Sequence, residues 1–230
     1  MTTNIPSTGF FQQLQDSTRV EREALLNTSL VQDALAGRVG TERYVAFLVQ
    51  AYHHVRHTVP LLMAAGARMP GDKEWLRTAL AEYIDEELGH QEWILNDIAA
   101  CGYDADKARQ STPNRETELM VAYAYHIIDR VNPVGFFGMV HVLEGTSVKV
   151  ADSAAEAIAA ATGLPGKAFT YLRSHGALDI EHVQFFENLM NRIDCPQDQR
   201  QIVHCARQFY HLYADVYRSV SAEQVLQLAA

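Results

Sequence analysis

Apolar residues recur every three or four positions along nearly the whole chain, and no segment alternates cleanly over the length of a strand, which predicts an all-α fold. A first helix covers about Thr8 to Asn27, and a short one follows Ser29 and ends at the Gly37 and Gly40 punctuation. Thr41 reads as the N-cap of a long helix, TERYVAFLVQAYHHVRHTVPLLMAAGA, which Pro60 should kink by removing one backbone hydrogen bond. After the Pro70–Gly71 turn, Asp72 caps a helix from about Lys73 to Cys101 that Gly102 stops. Beyond a polar loop holding Pro113, the segment ETELMVAYAYHIIDR resumes the pattern. Asn132 and Pro133 then supply an N-cap and a first-turn proline for a helix running through Glu144 towards Ala161. Two more follow, about Lys167 to Ile193 and Pro196 to Gln224. The expectation is one helical domain over residues 1–230, a bundle of about seven helices whose facing side chains are where such folds place metals and cofactors.

Composition narrows the class. Apolar residues make up 48% and charged residues 20%, ordinary for a globular chain, and no apolar run approaches the ~20 residues of a membrane helix. The N-terminal MTTNIPSTGFFQQLQ has neither a basic start nor an apolar signal core, so a cytoplasmic protein with no membrane partner is expected. The net charge of −9, without a Lys/Arg cluster, argues against a nucleic-acid partner. Cys101, Cys195 and Cys205 are widely spaced and odd in number, which suits free thiols. Ten histidines are the unusual feature.

Three segments concentrate the chemistry. In YLRSHGALDIEHVQFF, residues His175, Asp179 and His182 fall within about 60° of one another on a helix of 3.6 residues per turn. Such a stripe of imidazole and carboxylate suits iron, manganese or zinc; it equally describes a polar face in water or hydrogen-bonded core histidines. In EYIDEELGHQEW, Glu87 and His90 form the E-x-x-H pairing of di-metal carboxylate bundles, with Glu86 one turn from His90. The bland alternative is a solvated acidic face. In FFGMVHVLEGTSVKV, Glu144 stands in an apolar stretch and calls for a cation or a hydrogen-bond donor. Lys149 points about 140° away, whereas His141 shares the face, so a Glu144–His141 pair is the competing reading.

On these anchors the stretch from roughly Arg43 to Ile193 resembles the haem-oxygenase-like di-iron oxidase and oxygenase family, within the TenA and PqqC-like superfamily. The resemblance implies a haem-oxygenase-like bundle and two irons, with manganese an alternative. The implied ligands are Glu87, His90, Glu144, His175, Asp179 and His182, with Glu144 or Asp179 bridging. It also implies dioxygen and a small amine, amino acid or carboxylic acid as substrates, and a homodimer, which the aromatic last helix (Phe209, Tyr210, Tyr213, Tyr217) would suit as well as a core. Haem is not expected, because the fold's axial histidine belongs on the first helix and no histidine precedes His53.

The pattern departs from relatives in two places. Where some carry a carboxylate seven residues before the central histidine, this chain has Tyr83, a candidate substrate contact or redox-active phenol. Where others carry a glutamate on the preceding helix, it has His53, His54 and His57, of which His53 and His57 are candidates for contacting metal or substrate. Alternatives on the same fold are a TenA-like thiol aminohydrolase, for which Cys101 and Cys195 look poorly placed, a cofactorless PqqC-like oxidase, and a non-catalytic binding or regulatory protein. A ferritin-like bundle would leave His175 unexplained.

Overall fold

The computed structural model describes residues 9–228, apart from the side chains of residues 148–149 and 175–182. Among the described residues the fold is helical throughout, with no strand. The elements are α1 (Phe10–Ser17), α2 (Arg19–Leu26), α3 (Ser29–Leu35), α4 (Thr41–Val55), α5 (Thr58–Arg68), α6 (Glu74–Glu87), α7 (His90–Ala100), α8 (Ala105–Gln110), α9 (Arg115–His126), α10 (Phe137–Thr162), α11 (Thr170–Asn191) and α12 (Pro196–Ser219). The count exceeds the expected seven because three long helices are each divided.

Each division has a local cause. The first helix breaks at Thr18, whose hydroxyl donates to the Leu14 carbonyl at 2.8 Å and competes with the backbone ladder. The expected kink at Pro60 is instead a break at Arg56–His57. Pro60 sits in the first turn of α5, where a missing N–H costs nothing, and its ring disfavours a continuous helix through the carbonyl four residues earlier. The helix expected from Lys73 to Cys101 divides at Leu88–Gly89, where Gly89 takes a left-handed φ of 91°. At the start of α4 the N-cap is Gly40 rather than Thr41, and no side chain closes it.

Helix α10 is the spine, packed against α3, α11 and α12. Its closest approach to α12 runs over Gly138, where an added Cβ would stand 2.6 Å from the Ala206 nitrogen and 2.8 Å from the Ile202 carbonyl. Ahead of α10, Asn132 accepts from the Val134 N–H at 3.0 Å and Pro133 opens a short 3₁₀ turn, as the sequence signals. Polar ties cross the remaining helices. Buried Gln50 of α4 accepts the Asn114 N–H at 2.9 Å and the Thr117 hydroxyl at 2.7 Å, docking the start of α9. Asp97 of α7 accepts the first N–H groups of α11 and so caps it from a neighbouring helix. Phe209, Tyr210, Tyr213 and Tyr217 are all buried within this chain, so they are core residues and give no support to a dimer. No helix among the described residues is long and apolar enough to cross a membrane.

Candidate metal centre

A cavity of about 730 Å³ lies where α4, α5, α6 and α10 face Tyr171 of α11 and Tyr213 of α12. Its walls are largely apolar, from Leu61, Leu62, Phe136, Met139, Val140 and Leu143, and into this surface project Glu87, Glu144, His54 and Tyr83. The described lining holds neither lysine nor arginine. Two carboxylates facing one apolar space are costly without a compensating cation, so the donor set fits a bound metal.

Glu87 and His90 stay together although the helix divides between them. The Glu87 Oε2 and His90 Nδ1 are 3.1 Å apart, with both side chains largely shielded. A carboxylate accepts and the ring nitrogen donates, which leaves the lone pair of a neutral His90 on Nε2, the form a metal-binding imidazole takes. The ring is steadied from the other side by Trp93, with centroids 4.0 Å apart. Glu144 comes from the buried face of α10 and its Oε2 is screened from solvent. His141 directs Nε2 towards Thr18 Oγ1 at 3.3 Å, on the α1 side.

Tyr83 is 3% exposed and packs edge-on against Phe185 of α11, ring centroids 5.3 Å apart. Its hydroxyl has no hydrogen-bond partner of normal geometry, although Glu144 lies close by. Burial first, and then the negative charge of Glu144 with contributions from Glu86 and Glu87, pushes the phenol far above its ordinary pKa. It is therefore a neutral hydroxyl at any working pH.

The other predicted positions separate. Glu86 is exposed and reaches the centre only through its charge. His53 turns away: its Nε2 is 2.9 Å from Ser111 Oγ, and since that hydroxyl donates to the Ala108 carbonyl, it must accept from the histidine. His57 meets the Tyr125 hydroxyl at 3.3 Å. Neither lines the cavity. His54, which the sequence reading passed over, does: it is 2% exposed and its Nδ1 is 3.0 Å from the Gln50 carbonyl, again leaving the lone pair of the neutral ring on Nε2. The signal was present in the spacing, because residues 54, 58, 61 and 62 form one helical stripe.

His175, Asp179 and His182 are carried by α11 between Tyr171, which lines the cavity, and Phe185, which touches Tyr83; their side chains lie outside the described residues. Among the described residues no three His, Cys, Asp or Glu side chains converge on one point as a complete metal site.

A family model described as an iron-containing redox enzyme matches residues 45–214. The chain belongs to that family. The matched span holds every candidate ligand from His54 to His182. A comparison with curated proteins finds no match. Among solved structures, a domain of unknown function with a heme oxygenase-like fold from Shewanella denitrificans superposes with a TM-score of 0.83 at 23% identity, covering 97% of both chains. A TenA homologue from Pseudomonas syringae gives 0.75 at 13% identity over 94% of this chain and 93% of its own. Heme oxygenase-1 from Synechocystis, in complex with heme, gives 0.72 at 14% over 95% of each. At these identities the likeness establishes the heme oxygenase-like fold of this iron-containing redox family member.

Proposed function

We propose that this protein is a non-haem oxidase or oxygenase that holds two irons and uses dioxygen on a small amine, amino acid or carboxylic acid. The observation that carries the reading is the convergence of Glu87 and Glu144 on one apolar cavity whose described lining has no basic side chain. Glu144 and the Glu87–His90 pair would hold metal from α10 and from the α6–α7 junction. His175, Asp179 and His182 would complete the set from α11, a proposal resting on their helical spacing and on family membership. His54 adds a donor from α4, a helix from which the sequence reading had singled out its neighbours.

Iron bound there supplies redox chemistry towards dioxygen. The chain's own residues prepare the site for it. The Gln50 carbonyl fixes the His54 ring and the Glu87 carboxylate fixes the His90 ring, so both imidazoles are oriented before metal arrives. Leu61, Leu62, Met139 and Leu143 exclude water from the reacting end of a substrate. Tyr83 keeps its proton on Oη and offers a hydrogen bond at the Glu144 side of the cavity. A thiol mechanism is less well supported, since no cysteine is in the described lining and burial raises Cys101 to about 12.

The test is anaerobic Fe(II) titration of chelator-treated protein, with iron counted per chain and the oxidised centre followed by absorption and Mössbauer spectroscopy. Two irons per chain are expected, falling in Glu144→Ala and His182→Ala. If both variants retain the parent's iron, the ligand assignment fails.

A further inference from the structure

A second cavity, of about 690 Å³, adjoins the first. Val31 of α3, Phe47 of α4 and Ala151, Ala154 and Ile158 of α10 form much of its wall, and no charged side chain is among its described lining. Ser147, Tyr171 and Tyr213 belong to both cavities, so the two meet at that junction. The junction is itself amphipathic. Tyr213 stands edge-on to His54 with centroids 5.7 Å apart and packs on Tyr217, 4.4 Å away, at the mouth of the apolar chamber. One space thus changes character along its length, from carboxylate and imidazole around Glu87, Glu144 and His54 to hydrocarbon around Ala154. Its volume is in the range that holds small organic ligands.

We infer that the second cavity is a tail site: the substrate is amphipathic, its polar reacting end lying beside Glu87 and Glu144 and an unbranched hydrocarbon chain passing Tyr213 into the chamber. Which end reacts rests on the function proposed above; the tail site itself does not. The small residues at 151 and 154 are what keep the chamber open, since a larger side chain at either would fill it.

Calorimetric binding of n-alkylamines from butyl to dodecyl, below micelle formation, to the metal-free protein tests this directly, because the ammonium suits the acidic end. The iron-loaded protein is tested in parallel with n-alkyl carboxylates. Affinity should rise about fourfold per methylene, the equivalent of ~0.8 kcal/mol each, until the chamber is full. Ala154→Leu and Ala154→Trp should end the rise at progressively shorter chains while leaving butyl binding unchanged; the milder variant guards against misfolding of the other. An affinity that is flat with chain length, or a full rise retained in both variants, overturns the tail site. Chain-length dependence in a protein that takes up no iron would sink the two-iron reading alone, and two irons without chain-length dependence would sink the tail site alone.

Discussion

The carboxylate of Asp97 accepts the backbone N–H of Tyr171 across 2.8 Å, with Thr170 N–H at 3.1 Å on its other oxygen. This fully buried contact sets where α11 begins relative to α7, and hence how the helix carrying His175, Asp179 and His182 stands against the one that starts at His90. Burial raises the Asp97 pKa and the two N–H groups partly offset the rise. Asp97→Ala should cost about 3 kcal/mol in urea unfolding, because it leaves two buried helix-end donors without a partner. Asp97→Asn, which keeps one acceptor oxygen, should fall between.

The two adjacent histidines of α4 should behave oppositely towards metal. His54→Gln is expected to lower iron stoichiometry or weaken Fe(II) binding at least tenfold, the scale seen when a group close to a metal is altered. His53→Gln, facing Ser111, should leave it unchanged. Anaerobic iron titration of both proteins decides the matter, and equal iron in the two would remove His54 from the ligand set.

His53 should instead reveal itself through pH. Burial first, then the charges of Arg56 and His57, push its pKa down to about 4 from 6.5. Between those values the unfolded chain binds a proton that the folded chain refuses, so stability falls as pH drops from 6.5 and the loss levels off below 4. Urea midpoints across this window should fall less steeply in His53→Gln, by a difference on the order of 2 kcal/mol at the acid end.

How far the chain could be read in advance depended on whether a feature was local. The helices follow from apolar spacing, and Glu87 with His90 follows from a three-residue interval. The breaks at Arg56–His57 and Leu88–Gly89 were harder, because Pro60 marks a helix start as readily as a kink and a lone glycine is tolerated inside a helix. Choosing His54 over His53 and His57 required knowing what α4 faces, and the Gln50 and Ser111 partners that orient these rings lie in the tertiary structure. The four aromatics of α12 could not be divided between core and surface until their burial was seen.

Gly138→Ala should be strongly destabilising, by about 3 kcal/mol in urea or thermal unfolding, since two of the three atoms its Cβ would meet are backbone and cannot rotate aside. Gly145, on the same helix with nothing within 4 Å of an added Cβ, is the control, and its alanine variant should be neutral or slightly stabilising.

Tyr83→Phe separates packing from chemistry. Removing a buried hydroxyl that lacks a hydrogen bond should leave stability unchanged or raise it by up to about 1 kcal/mol, with iron content unaltered. Under the proposed function, turnover should nevertheless fall. A variant that is both fully active and more stable would reduce Tyr83 to a core residue.

The left-handed turn at Gly89 gives the Glu87–His90 pair a property that an unbroken helix would deny it. Its two members ride on separate rigid bodies, so their bite is set by the dihedral angles of Leu88 and Gly89 rather than by helical pitch. Leu88 is 60% exposed, and a Cβ at position 89 would touch nothing. Substitutions there would act through backbone geometry alone, which makes this turn a place where the pair could be opened or closed by engineering with both helices left intact.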